Sequence, residues 1–243
     1  MIRIENTDVY GFEATIRGMR NPKNSWDKSD TILCPKNITA NDCNGRATCE
    51  FPCPRTSFEK DFVCIGKNDL KLMKTLAAAG NDHGKFMRMI NVTCDIIAPL
   101  YWWKEFDTYK VGTVADSCST MHKIADKEFT IDDFSHEHLY AVTDNIGIRW
   151  NCLESLESTI QHLNAARECF LCTKDKDVWY QMIQLLPSSY NQRRTVQLNY
   201  QVLKNMYHAR KNHKLDEWLD FCYWIEKLPY SELIIGEKEN ECK

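Results

Sequence analysis

The stretch from Leu186 to Trp218 reads LPSSYNQRRTVQLNYQVLKNMYHARKNHKLDEW, and its reading decides the fold. Leu198, Val202 and Met206 recur every four residues, the period of one helix face. The spacing predicts a helix carrying Asn199, Asn205 and Arg210. A basic, His-containing turn follows, and then a second amphipathic helix through Leu215, Trp218, Leu219, Cys222 and Ile225. The step from Asn199 to Arg210 is close to three helical turns, so a helix would point both from one face about 16 Å apart. One helix could then touch two distant parts of a long ligand such as a dinucleotide. Lys204, His208, Lys211, His213 and Lys214 make this surface locally basic, although a solvated helix face has the same composition.

Upstream, Leu153, Leu156, Ile160, Leu163 and Phe170 predict a helix over 152–173. Lys174 to Asp177 forms a turn, and Val178, Trp179, Met182, Ile183 and Leu186 mark a further helix. Ile90, Val92, Cys94 and Ile96 alternate with Asn91, Thr93 and Asp95, the pattern of a half-buried strand. Pro99 suits the first turn of a helix running to about Tyr109, which Gly112 breaks. Near the start, Ile2 and Ile4 predict a short edge strand. Phe12, Ile16 and Met19 predict a helix ended by Asn21-Pro22, with Arg17 and Arg20 on its polar side. Asn68 is the expected cap of a helix carrying Leu70, Met73, Leu76 and Ala77, stopped at Gly80. The span 129–151 shows no clear period. Helices dominate and strands cluster early, an α+β pattern rather than repeated βαβ units.

These residues carry a resemblance to the flavin-dependent thymidylate synthases (ThyX). That family's C-terminal segment runs Leu-Pro, Tyr, Asn, then an Asn-containing helix ending in Leu-Arg. Leu186-Pro187, Tyr190, Asn199, Asn205 and Arg210 match it, with Tyr190 about one residue early. His83 and Phe86 resemble the family's His-x-x-Pro-Phe, and Ala98-Pro99-Leu100-Tyr101 resembles the Ala-Pro-Ile-Phe opening its signature helix. Arg17 and Arg20 are similar to an N-terminal Arg-x-x-Arg leading toward the flavin. The signature RHRxxSxNExSxRY falls on Thr108 to Met121. There Lys110 keeps one positive charge, Thr113 and Asp116 are conservative changes, and Cys118 stands where the family has a serine. Thr108 and Tyr109 replace the first Arg and His, and Thr120 replaces the Arg that binds the nucleotide phosphate.

The resemblance implies a single ThyX-like α+β domain over 1–243, a small mostly antiparallel sheet with several packed helices, and a helix-rich C-terminal half. It implies an enzyme that binds FAD and transfers a one-carbon unit from methylenetetrahydrofolate to C5 of a uracil nucleotide such as dUMP, with NADPH as reductant. FAD would be held by Asn199, Asn205, Lys110, Tyr109, His213, Lys214 and Arg20. Arg210 would bind the base and stabilise charge on it, while Asp116, Cys118 and Lys110 would hold the nucleotide. Cys118 is also a candidate nucleophile, although an inert thiol fits the same position. A homo-oligomer, a tetramer in the family, would be expected. The alternative is a non-catalytic nucleotide- or partner-binding protein on the same fold, which the Thr108 and Thr120 replacements favour.

Composition bounds these readings. The chain has 243 residues, 43% of them hydrophobic and 27% charged, enough for one large domain with a real core. A net charge of −3 indicates no general affinity for long nucleic acid, so any phosphate site is local. The first residues, MIRIENTDVYGF, lack an apolar run, and no stretch reaches the roughly 18 apolar residues of a spanning helix. A cytoplasmic protein is expected, and its 12 Cys are then mostly thiols.

Residues 30–66 read as an inserted loop, rich in Cys and Pro and poor in periodicity. Cys34, Cys43, Cys49 and Cys53 supply four thiolates, sufficient for structural zinc, although no tight C-x2-C pair is present. Free thiols and disulfides are the other readings, and a zinc-stabilised interaction module is a further alternative for the insertion. Cys169-x-x-Cys172 lies inside a predicted helix, where core packing is expected. His136-x-His138 with Asp132 and Asp133 is a weak metal pattern. Tyr101, Trp102 and Trp103 suit a ligand ring, the core or a subunit interface.

Overall fold

The computed structural model describes residues 2–34, 62–147 and 149–236. In chain order the elements are β1 (Arg3–Tyr10), α1 (Phe12–Arg20), β2 (Ile32–Cys34), β3 (Phe62–Cys64), α2 (Lys67–Ala78), β4 (Asn91–Pro99), α3 (Leu100–Phe106) and β5 (Val114–Ser117). Then come β6 (Ala141–Thr143), β7 (Arg149–Asn151), α4 (Cys152–Thr173), α5 (Lys176–Leu185), β8 (Asn191–Asn199), α6 (Tyr200–Arg210), α7 (Asp216–Glu226) and α8 (Glu232–Ile235). One sheet has the order β1-β4-β8-β5, and two small antiparallel sheets pair β2 with β3 and β6 with β7. The α+β class is the one expected from the sequence. No described helix is long and apolar enough to cross a membrane.

The described residues divide into two compact units. One comprises 2–5, 95–108, 115–147 and 149–196. Its core packs Leu156, Ile160 and Leu163 of α4 around Met182 of α5, with Phe129 and Phe134 from the preceding loops. The 22-residue span of α4 matches the predicted helix. Its start is capped by the Asn151 side chain, which accepts from the N–H groups of Leu153 and Glu154. Its end is turned by Lys174 in the left-handed region, before Asp175 caps α5. Trp102 and Trp103 are fully buried, so these two rings of α3 are core, whereas Tyr101 is partly exposed. Cys169 and Cys172 are exposed instead of packed, because they fall on the solvent side of α4.

The other unit comprises 6–34, 62–94, 109–114 and 197–236. Phe12 of α1 lies edge-on to Tyr200 and Tyr230, and Met73, Met87, Leu203, Met206, Phe221 and Ile225 are buried in the same unit. The expected insertion is anchored by β2 and β3, with Cys34 opposite Phe62 in register. The Tyr230 hydroxyl accepts from Ile65 N–H at 2.8 Å and donates to Val63 C=O at 3.2 Å, fastening this stem to the C-terminal segment. Cys43, Cys49 and Cys53 lie outside the described residues. Cys34 is buried in β2, and among the described residues no three His, Cys, Asp or Glu side chains gather as a metal site. That includes His136, whose Nδ1 is 2.8 Å from Phe134 O.

Two sequence expectations are corrected here. Asn68 does not cap α2. The helix begins at Lys67 after Gly66, and the Asp30 carboxylate receives the N–H groups of Asn68 and Asp69. A Cβ on Gly66 would lie 2.2 Å from Asp30 Cγ, so this close approach requires glycine. Arg20 is not on a polar side. It is 4% exposed, and its Nε donates to Asp69 Oδ1 at 2.6 Å. Its remaining donors meet Ser25 O, Ser25 Oγ and Lys28 O. Asp69 Oδ2 in turn accepts from Ser29 Oγ, Thr31 Oγ1 and the N–H groups of Asp30 and Thr31. A buried charge that is paired and hydrogen-bonded is tolerable, whereas one left unpaired is costly.

Burial alone would raise the pKa of Asp69. Hydrogen bonds from Ser29, Thr31 and Arg20, together with the Arg20 charge, outweigh it and hold the carboxyl below its ordinary 3.8. A depressed folded-state pKa means the contribution is complete above the unfolded value and is lost as pH falls through the folded one. Asp69→Ala is expected to cost about 3–5 kcal/mol in urea unfolding. Its deficit against the parent should shrink below pH 3.8, where the parent carboxylate takes up a proton. An unchanged unfolding midpoint at neutral pH contradicts this account of the clasp.

Candidate functional site

Backbone alternation, not helical period, rules the stretch before Tyr200. Gln192, Val196 and Leu198 are buried and Arg193, Thr195 and Gln197 exposed, so 191–199 is strand β8 where the sequence reading had placed the start of a helix. Asn199 is therefore the N-cap of α6 and not a residue within it. Its Oδ1 accepts from Val202 N–H at 3.0 Å, and its Nδ2 lies 3.5 Å from Gly112 O. Tyr200 N–H donates to Ile90 O at 3.0 Å, which ties the strand-to-helix corner to the residue before β4.

Arg210 closes the other end of α6. Its Nε donates to the Tyr109 hydroxyl at 3.0 Å. Its guanidinium carbon stands 4.6 Å from the Trp218 ring centroid and 5.7 Å from that of Tyr109. Guanidinium–ring contacts of this kind are attractive and set the plane of the group. Tyr109 and Trp218 meet edge to face at 6.2 Å, and the His213 ring lies 6.2 Å from Trp218. The intervening turn is short. His213 N–H donates to Arg210 O at 2.9 Å, and His213 Nδ1 accepts from Leu215 N–H at 3.2 Å. Trp218 is fully buried and forms the floor beneath Arg210. The two ends of α6 thus hold one segment, Tyr109 to Gly112: Arg210 at its start and Asn199 at its end.

The structure brings Arg210, Tyr109 and His213 together, and Lys214 sits exposed in the same turn. It places Asn205 elsewhere. Five residues before Arg210, it lies about 140° around the helix. Its Oδ1 accepts from Gln201 Nε2, which also reaches Asn81 Oδ1. Asn205 is therefore turned away from the side on which Asn199 and Arg210 hold Tyr109 to Gly112. Lys110 is exposed beside Tyr109. Arg20 is withdrawn into the Asp69 clasp.

In the other unit, Asp116 and Cys118 are exposed at and just after β5. Cys118 N–H donates to Arg193 O and its carbonyl accepts from Gln192 Nε2, both at 3.0 Å. Burial, then the charges of Cys118 and Asp133, push the Tyr190 hydroxyl up to about 12, so it stays protonated. Arg193 and Arg194 are the nearby guanidiniums in sequence, and both are committed. Arg193 is 2.6 Å from Asp95 and 3.7 Å from Glu5. Arg194 is 2.7 Å from Asp107 and stacks 4.2 Å over Trp103.

Sequence reasoning recognised Trp218 only as a buried helix residue and Gly112 only as a breaker. The signal for Trp218 is faint: an aromatic residue early in the helix after a basic turn. Gly112 needs φ +78°, and a Cβ there would meet Asn199 Nδ2 at 2.8 Å and Val202 Cγ2 at 3.0 Å. As a donor set, the Arg210 cluster suits a planar heterocycle with acceptor oxygens, such as a uracil or flavin ring.

No protein-family model and no curated protein matches this sequence. Solved structures do. A ThyX thymidylate synthase from Helicobacter pylori, crystallised with FAD and dUMP, superimposes with a TM-score of 0.62 at 12% identity, covering 97% of this chain and 98% of that one. A second structure of the flavin-dependent enzyme from the same organism, also with FAD and dUMP, gives 0.61 at 12% identity over 96% and 98%. The UMP/dUMP methylase PolB from Streptomyces cacaoi, bound with 5-Br dUMP, gives 0.55 at 12% identity over 95% and 93%.

Gly112→Ala is expected to destabilise the protein by about 1–3 kcal/mol, through its positive φ and the clash at the Asn199 cap. Thermal unfolding checks this, and an unchanged Tm contradicts the proposed anchoring of the Tyr109–Gly112 segment. At this sequence distance the likeness is one of fold, and the chain is a divergent protein with the architecture of the flavin-dependent thymidylate synthases.

Proposed function

We propose that this chain is a ThyX-like enzyme that binds FAD and a uracil nucleotide, dUMP or a variant of it, and methylates the base at C5. The observation that carries the reading is the fold, shared over nearly the whole chain with two structures of an enzyme holding FAD and dUMP and with a UMP/dUMP methylase. The one-carbon donor is methylenetetrahydrofolate, and the active form is a cytoplasmic homo-oligomer, a tetramer by analogy. Reduced FAD, when bound, supplies the electrons that bring the transferred carbon to the methyl level, with NADPH as its reductant.

The chain's own residues bind and orient. Arg210, fixed in plane by Trp218 and Tyr109, is assigned to the base, where its N–H donors would stabilise the oxygens on which charge develops. Asp116, Cys118 and Lys110 are assigned to the nucleotide. Asn199, Asn205, Tyr109, Lys110, His213 and Lys214 are assigned to FAD. Tyr109, Lys110, His213 and Lys214 supply the donors nearest Arg210 for that group, and Arg20 is left out because its Nε, Nη1 and Nη2 meet Asp69, Ser25 and Lys28. Zinc is not part of this reading.

A second reading has a specific observation in its favour. Thr108 and Thr120 stand at two signature arginine positions, and Arg193 and Arg194 are both paired with carboxylates. A chain without those two arginines suits binding of a nucleotide or a protein partner without turnover.

Tritium release from dUMP labelled at C5, in the presence of FAD, NADPH and methylenetetrahydrofolate, tests the enzymatic reading. Release dependent on all three supports it, and release indistinguishable from a no-protein control contradicts it. Arg210→Ala is expected to weaken dUMP binding at least tenfold in calorimetric titration while leaving the circular dichroism spectrum unchanged. Equal affinity in the variant removes Arg210 from the base site.

A further inference from the structure

Away from the Arg210 cluster, a groove of about 600 Å³ runs between α2, α6 and α8. Lys67, Lys71 and Lys74 line it from α2, at the i, i+4, i+7 spacing that puts all three on one helix face. Lys204 of α6 also lines it. Glu232 is the acidic lining residue, 3.9 Å from Lys74. Among the described residues, Lys67, Lys71 and Lys204 make no ion pair. The Lys204 ammonium is half-buried and donates to Ala77 O at 2.7 Å. Leu70 and Leu233 give the groove an apolar floor.

Four ammonium groups against one carboxylate, in a concave site with low-dielectric walls, attract and hold an anion more strongly than the same charges on a convex surface. The chain as a whole carries −3, so this positive face is a local feature and not a reflection of overall charge. Lysine acts as a compact point charge with rotatable donors, which suits phosphate oxygens without requiring planar, bidentate geometry. Lys67 to Lys74 spans about 10 Å along the helix axis. That is more than one phosphate group reaches and about the length of a row of two or three.

We propose that the groove formed by Lys67, Lys71, Lys74 and Lys204 is a binding site for an oligophosphate, either the phosphate tail of a nucleotide or free polyphosphate. The inference is independent of the flavin and uracil reading, because none of its four lysines belongs to that site.

Isothermal titration of the full-length chain with inorganic tripolyphosphate at low ionic strength tests it. Saturable binding is expected, weakened at least tenfold by the double substitution Lys71→Glu/Lys74→Glu and severalfold by Lys204→Met. Lys176→Glu, on α5, should leave it unchanged. Parallel titration with ATP separates the two sources: tighter binding than tripolyphosphate assigns a nucleotide, and equal binding assigns the phosphate chain alone. Thermal unfolding of each variant verifies the fold, and Lys204→Met alone serves if the double variant does not fold. Absence of saturable binding overturns the proposal, as does equal affinity in the parent and the folded groove variants. Flavin absorbance measured on the same samples distinguishes failure here from failure of the enzymatic reading.

Discussion

The Asn199 carboxamide holds the corner on which the candidate site depends. Strand β8 ends there and helix α6 begins, and the first free N–H groups of the helix need an acceptor. Oδ1 supplies it to Val202, and Nδ2 reaches Gly112. The cap therefore fixes where α6 starts, and α6 fixes where Arg210 comes out one helix length later. Gly112 can approach the cap only because it lacks a Cβ, and its positive φ is one that other residues rarely adopt. Tyr109 then meets the guanidinium from one side while Trp218 lies under it. A cap, a glycine and two aromatic rings thus confine one cation to a single orientation, the property a base-recognition site requires.

Much of this was legible in sequence, and the failures have identifiable causes. The two-helix C-terminal segment, α4 and the alternating strand β4 all follow from hydrophobic period. Strand β8 was hidden because Leu198, Val202 and Met206 happen to bridge a strand end and a helix at helical spacing. The period-two signal, Val196 and Leu198 buried on either side of Gln197, is only three residues long there. Asn199 itself was the better clue, since Asn is a favoured N-cap and unremarkable inside a helix. Arg20 was misread from its charge. Phe12, Ile16 and Arg20 share one stripe of α1, and the geometry buries all three. What makes this tolerable is Asp69, a partner 49 positions away that no local pattern reveals.

The site is legible in kind more than in arrangement. Arg210, Tyr109 and His213 were all named from the resemblance, and they meet. Asn205 shares α6 with Arg210, but five residues are about 140° of rotation, so it lies on another side of the helix. Trp218 supplies the floor, and its burial could be read from the sequence while its contact with Arg210 could not. The resemblance in sequence is strongest in the C-terminal segment, whereas the likeness of fold extends over 97% of the chain. The altered positions, Thr108, Tyr109, Cys118 and Thr120, therefore sit on a preserved scaffold. A fold can outlast its chemistry, and function has to be argued from the site.

The central claim is that this scaffold still takes up a flavin, and the absorption spectrum of the purified protein tests it most directly. Titration with FAD, followed by removal of unbound ligand, should leave a retained flavin band with resolved vibrational shoulders, shifted from that of free FAD. Protein that emerges colourless after equilibration with excess FAD contradicts the claim. It would leave nucleotide or partner binding as the role of this fold.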